Sequence, residues 1–172
     1  MALQHPGKPS NLALYTAEER QRRDSSVWTL VQGVLALVQF GVFLASLALI
    51  AWYLATGQGE ALATASVVLK TLVLYAIMIT GAIWEREVFG CYLFARTFFW
   101  EDVVSMVVIT LHTAYLAAFL TDALDVRSQL MLALAGYAVY TANALQFVLK
   151  FRAARREIPT HASDFAVTGD GM

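Results

Sequence analysis

The sequence predicts an all-α integral membrane protein. It reads as a four-helix bundle with an aromatic and acidic cytoplasmic connection between its second and third helices. Three observations lead there. Four apolar runs, about Val27–Leu54, Leu62–Ile83, Phe98–Leu120 and Gln129–Leu149, each reach the roughly 20 residues that a spanning helix needs. The chain is 59% hydrophobic and 15% charged, against roughly 45–50% and about 25% in soluble domains. Its four tryptophans, Trp28, Trp52, Trp84 and Trp100, fall at the ends of these runs, where an aromatic belt meets the membrane surface.

The chain divides into a cytoplasmic N-terminal tail over residues 1–24, a transmembrane domain over 25–156 and a disordered C-terminal tail over 157–172. In the first tail, Thr16-Ala-Glu-Glu19 matches a capping box, so Glu18–Arg23 can start a helix that feeds the first span. The N-terminus does not read as a cleaved signal peptide, because polar sequence precedes an apolar run too long for one. Ten of the twelve Lys and Arg residues lie in the N-terminal tail, in the Trp84–Thr97 connection or in the C-terminal flank from Lys150 to Arg156. Excess Lys and Arg marks cytoplasmic segments, so both termini and that connection are expected in the cytoplasm. The opposite side carries only Arg127.

Each span carries polar residues with two readings. In the first, Gln32, Gln39 and Ser46 recur every seven residues and share a face, either to bond between helices or to touch a ligand. In the second, Lys70 lies about 12 Å of helix rise from Leu62. It either snorkels to the periplasmic surface or pairs, buried, with a carboxylate or a ligand carbonyl. In the third, Glu101, Ser105 and His112 form one stripe, and Asp102 reaches the neighbouring face. His112 is about 13 Å deep, either as a hydrogen-bonded packing residue or as a ligand to a metal centre in a bound molecule. Glu101 and Asp102 either cap a helix start or belong with Glu85 and Glu87, which close the span before. In the fourth, Gly136, Tyr140, Asn143, Gln146 and Lys150 cluster on one face. Polar groups of all four spans thus collect in the cytoplasmic half, as around a pocket open to that interface.

Acids at such a place are costly and point to function. Several carboxylates crowded in a half-buried site cannot all ionise cheaply, and the one that keeps its proton is a usable general acid. Other chemistries lack their residues. The net charge of −1 gives no sign of nucleic-acid binding. The single cysteine, Cys91, excludes an internal disulfide and a Cys-x-x-Cys pair, and reads as a small interfacial residue rather than a nucleophile. His112 is the one histidine within a span, since His5 and His161 are in the tails, so a haem held by two histidines does not fit. No zinc-hydrolase motif, P-loop or dinucleotide glycine fingerprint is present. Four spans without an internal repeat are few for a transporter. Acid/base chemistry on an apolar substrate, or a non-catalytic binding role, is what remains.

The run IWEREVFGCYLF followed by FFWEDVVSMVVITLHTAYLAA resembles the 3-vinyl (bacterio)chlorophyllide hydratase family of bacteriochlorophyll synthesis. WTLVQGVLALVQFGVFLASL, TASVVLKTLVLYAIMITG and YAVYTANALQFVLKFRAARR fit the same pattern, so the resemblance covers roughly Thr16 to Arg156. It implies addition of water across the 3-vinyl group of chlorophyllide a or its bacteriochlorin counterpart, giving a 3-(1-hydroxyethyl) product. It also implies a bacterial intracytoplasmic membrane, no cofactor beyond the magnesium within the substrate, and pathway neighbours as candidate partners. On this resemblance Glu101 would protonate the vinyl terminus, with Asp102 or Glu85 handling the water. His112 would ligate the magnesium. Arg86 and Arg96 would pair with the substrate propionate, and Trp84, Phe98, Phe99 and Trp100 would stack on the ring. Ser105, Tyr140, Asn143, Gln146, Gln39 and Lys70 would complete the pocket. The alternative class, a pigment-binding or photosynthetic-complex assembly protein, would use His112 and the aromatic lining without needing the carboxylates.

Overall fold

The structure, a computed structural model, describes residues 14–156. The disorder expected of residues 157–172 and the histidines His5 and His161 lie outside the described residues. Five helices follow in order: α1 (Ala17–Ser25), α2 (Val27–Thr56), α3 (Glu60–Phe89), α4 (Phe99–Thr121) and α5 (Val126–Arg156). The last four contain stretches long and apolar enough to cross a membrane. Each buries only 22% to 28% of its most apolar window inside the protein. Most of their Leu, Val and Phe side chains therefore point outward, which water would oppose and lipid accepts.

The capping box forms as the sequence implies. Thr16 Oγ1 accepts from the Glu19 amide at 3.2 Å, and the Glu19 carboxylate accepts from the Thr16 amide at 2.7 Å. Ser26 then turns the chain in an extended conformation and caps α2 through the Trp28 amide at 3.2 Å. At the start of α5, the Asp125 carboxylate accepts from the Ser128 amide and hydroxyl, at 3.1 and 2.6 Å.

One boundary differs from the hydropathy reading. The apolar run ends near Ile83, yet α3 continues through Trp84-Glu-Arg-Glu-Val-Phe89. Backbone hydrogen bonding does not require apolar side chains, and nothing in this stretch breaks a helix. Gly90 ends it with φ +84°, its amide donating to the Arg86 carbonyl; glycine takes that left-handed conformation without steric cost. The connection before α4 is thus shorter than the sequence suggests, and Glu85 stands on a helix.

The helices pack as two antiparallel hairpins, α2 with α3 and α4 with α5, which meet each other less extensively. Two cores hold the hairpins together. Around the turns that join each hairpin, Phe43, Ile50, Val67, Tyr115, Leu130 and Tyr137 are buried together. At the other end, called here the acidic end, Tyr15, Val88 and Phe98 pack with Trp84, Phe89 and Phe147. Polar bonds join the helices as well: Ser46 Oγ lies 2.6 Å from the Tyr137 hydroxyl and 2.8 Å from Ser66 Oγ, and Gln32 donates to Thr80 Oγ1 at 2.7 Å. Gln39, on the same face of α2, has no hydrogen-bond partner for either amide atom.

Close packing of α4 on α5 depends on Gly136. A Cβ there would lie 2.8 Å from the His112 ring. Gly136→Val should destabilise by about 1–3 kcal/mol through overpacking. Thermal unfolding of the detergent-solubilised protein would show it as a lowered midpoint. Gly41→Ala, where no atom lies within 4 Å, should leave the midpoint unchanged or raise it.

Candidate active site

Between the two cores lies a cleft of about 710 Å³ to which all five helices contribute. That volume falls within the roughly 300–1,000 Å³ usual for small-molecule sites. Its most unusual feature is a pair of acids. Glu85 comes from the last turns of α3 and Asp102 from the first turn of α4, and each is 5% exposed. Their carboxyl groups are in hydrogen-bonding contact. Two ionised carboxylates have only acceptors, so this contact requires one proton held by the pair.

The connection between α3 and α4 folds over the pair and supplies its remaining bonds. The Ala95 amide donates to Glu85 Oε2 at 3.2 Å, and the Phe94 amide donates to Asp102 Oδ2 at 2.7 Å. Phe94 is held at φ +62°, a left-handed conformation uncommon outside glycine, to present that amide. Buried acids are tolerated when hydrogen-bonded in this way. Trp84 lines the cleft beside them, fixed by donation from Nε1 to Thr29 Oγ1 at 2.9 Å.

Glu101 is placed differently. Both of its carboxylate oxygens lie 2.9 Å from the Lys150 ammonium, which also donates to the Thr97 carbonyl. The ion pair ties the end of α5 to the start of α4, and Glu101 does not line the cleft. Adjacent residues on a helix point about 100° apart, so Glu101 and Asp102 serve different neighbours.

The structure thus brings Glu85, Asp102, Ser105, Trp84, Tyr140, Asn143 and Gln39 to one cleft. Asn143 Nδ2 donates to Ser105 Oγ at 2.8 Å across α4 and α5. Lys70 and His112 are fully buried and do not line the cleft. Arg86, Arg96 and Gln146 are exposed outside it, and so are Phe99 (44%) and Trp100 (70%). Arg86 covers the Tyr92 ring instead, 4.5 Å from its centre. Among the described residues, no group of three His, Cys, Asp or Glu side chains is placed to hold a metal ion.

Arg23 and Tyr15 at the cleft mouth are absent from the residue list that the sequence suggests. Arg23 lies 4.7 Å from the centre of the Tyr15 ring and pairs with Asp24 at 2.6 Å. Its signal was available: it is a basic residue in the last turn of a capped helix, four residues before the first span.

A family model described as 2-vinyl bacteriochlorophyllide hydratase (BCHF) matches residues 15–153. The chain belongs to that hydratase family. The 2-vinyl bacteriochlorophyllide hydratase of Cereibacter sphaeroides is 59% identical over 145 residues, 84% of this chain and 90% of the relative. The protein of the same name in Rhodobacter capsulatus is 57% identical over 150 residues, 87% of each chain. No solved structure matches. Every residue lining the cleft, from Tyr15 to Val148, falls inside the stretch that the hydratase family model matches.

Cys91, just beyond α3, is partly buried. Burial pushes its thiol above the ordinary range, and the nearby Glu85 and Asp102 add to the effect. The neutral thiol is the poor nucleophile, so Cys91 should resist iodoacetamide at pH 7 and gain reactivity only as the solution is made alkaline. Mass spectrometry of the alkylated protein across that range checks this; full labelling at pH 7 would contradict it.

Proposed function

We propose that this chain is a membrane hydratase of bacteriochlorophyll biosynthesis, adding water across the ring vinyl group of chlorophyllide a or bacteriochlorophyllide a. The vinyl-bearing carbon is numbered 3 in current macrocycle nomenclature and 2 in the older scheme used in the family's description. Membership of the hydratase family supports the reaction. The observation that carries the mechanism is the Glu85–Asp102 pair, two buried carboxyls that face each other at the wall of an apolar cleft and are suited to hold one proton between them.

The shared proton is delivered to the terminal vinyl carbon, which becomes a methyl group. The cation left on the inner carbon is delocalised into the macrocycle. A water oxygen bonds to that carbon and loses a proton to the carboxylate that gave one up. Atoms and charge balance with water alone, so we assign no cofactor, and the magnesium belongs to the substrate. The acid role expected of Glu101 passes to the pair, since Glu101 is occupied by Lys150. The anchor for the propionate, expected at Arg86 and Arg96, passes to Arg23 at the cleft mouth, because a guanidinium recognises a carboxylate through paired N–H donors. The Lys and Arg distribution supports a cytoplasmic position for the acidic end and both termini. Membership of a bacteriochlorophyll-pathway family supports the intracytoplasmic membrane of phototrophic bacteria as its location.

Membranes from a non-photosynthetic host expressing the chain should incorporate one labelled water into 3-vinyl chlorophyllide a, read by mass spectrometry. Unchanged pigment that co-purifies with the protein would replace the hydratase with a pigment-binding role. Glu85→Gln and Asp102→Asn should each lower kcat by about 10²–10⁴-fold, the usual contribution of a positioned acid or base. An equal fall with Glu101→Gln in a stably folded protein would return the acid role to Glu101. Arg23→Gln should raise KM for the free acid and leave kcat little changed, and an unaltered KM would remove Arg23 from substrate binding.

A further inference from the structure

Below the cleft, on the side of the hairpin turns, three helices meet at a layer whose polar atoms are unsatisfied. Lys70 on α3 and His112 on α4 are fully buried, and Gln39 on α2 is 1% exposed. Lys70 Nζ, His112 Nε2 and both amide atoms of Gln39 have no hydrogen-bond partner. Elsewhere among the described residues only Asn143 Oδ1 is left so, while Ser46 and Gln32 nearby are bonded across helices. Buried polar groups are nearly always paired, and a membrane interior supplies no bulk water to pair them. Lys70 Nζ has only aromatic ring faces as partners, Tyr140 the nearest, and the Gln39 amide has no hydrogen bond, so N–H donors remain for a group the protein does not itself provide.

The layer adjoins the cleft. Gln39 and Tyr140 line the cleft floor. Lys70 Nζ lies 3.9 Å from the centre of the Tyr140 ring and 6.0 Å from that of Tyr137, so one aromatic ring separates the amine from the cleft. On the other side, the His112 ring stacks on Tyr137 at 5.7 Å. His112 Nδ1 is 2.8 Å from the Val108 carbonyl, which can only accept. Nδ1 therefore holds a proton, and in the neutral ring Nε2 presents a lone pair. The groups left to meet an oxygen are the N–H donors of Lys70 and Gln39. The Lys70 amine donates whether charged or neutral.

We propose that Lys70 and Gln39 form a second subsite of the cleft, which grips a carbonyl oxygen on the edge of the macrocycle remote from the vinyl group. This rests on the hydratase reading above and extends it. Glu85 and Lys70 stand on nearly the same face of α3, about 22 Å of rise apart, and the Lys70 stem reaches back toward Tyr140. The acids and the donors thus mark opposite ends of one cleft. A flat, rigid ligand held at both ends has its orientation fixed, so only one of its edges meets the Glu85–Asp102 proton. Lys70 is on this account a positioning residue, and Tyr140 is the ring that must shift when the carbonyl enters.

The test uses full-length protein in detergent or membranes, the Lys70→Met variant, and two probes: 3-vinyl chlorophyllide a and its borohydride-reduced form, in which the ring ketone is an alcohol. Infrared or resonance Raman spectra of bound pigment report the ketone stretch. In the wild type it should lie below its position in aprotic solvent, and Lys70→Met should return it to that position. KM for the ketone should rise about 10-fold to 100-fold in the variant, as for loss of a charge-assisted hydrogen bond, with kcat changed less. KM for the reduced pigment should differ little between the two proteins. A ketone band identical in wild type and variant, with equal KM changes for both pigments, would overturn the proposal. If Lys70→Met does not fold, Gln39→Leu and the two-pigment comparison on the wild type give the same reading. Failure of the hydratase reading has a different signature: no labelled water enters either pigment, while the band of bound ketone still reports on the subsite.

Discussion

The contact between Glu85 and Asp102 is the constraint around which the acidic end is organised. The two residues belong to different hairpins, so their contact fixes how α3 meets α4. It can exist only if one proton is retained and the remaining lone pairs are met. The amides of Phe94 and Ala95 meet them, which requires the connection to fold back and Phe94 to take a left-handed backbone. The Lys150–Glu101 ion pair then clamps α5 to the same turn of α4. One neighbouring acid is thereby neutralised by a cation, and the other two are left to each other.

The cleft exists because the cores sit at the two ends of the bundle. The core near the hairpin turns and the aromatic cluster at the acidic end both join the hairpins, and between them the hairpins stand apart. Side chains that face this gap are mostly apolar, as befits a tetrapyrrole. Among the polar ones three levels stand out: Arg23 at the mouth, the acid pair with Asn143 and Ser105 in the wall, and Gln39 at the floor with Lys70 behind Tyr140. Such a gradient suits a ligand with one ionised edge and a broad apolar face.

Much of this was legible in the sequence. Length and hydropathy located four spans, Thr16 and Glu19 announced the first helix, and the crowding of polar residues toward one end announced the cleft. What sequence could not resolve is decided by small rotations and by distant partners. Glu101 and Asp102 are adjacent, and only the packing of α4 says which one faces the gap. The partner that occupies Glu101 is Lys150, forty-nine residues away. Hydropathy ended the second span at Ile83 because Trp84-Glu-Arg-Glu is polar, while the helix itself continues to Gly90. Arg86 and Arg96 were attractive anion sites by proximity in sequence, yet the surface they occupy is outside the cleft. Arg23 is close to it only because Ser26 turns α1 back toward α3.

The shared proton of the acid pair has a consequence for traffic through the site. Hydration consumes one proton at the outer vinyl carbon and releases one from the attacking water. If both exchanges occur at the same two carboxyls, each turnover returns the pair to its starting charge. Such a catalyst resets itself. It needs a channel for water to a lipid-embedded cleft, and none for hydrogen ions between that cleft and the aqueous phase.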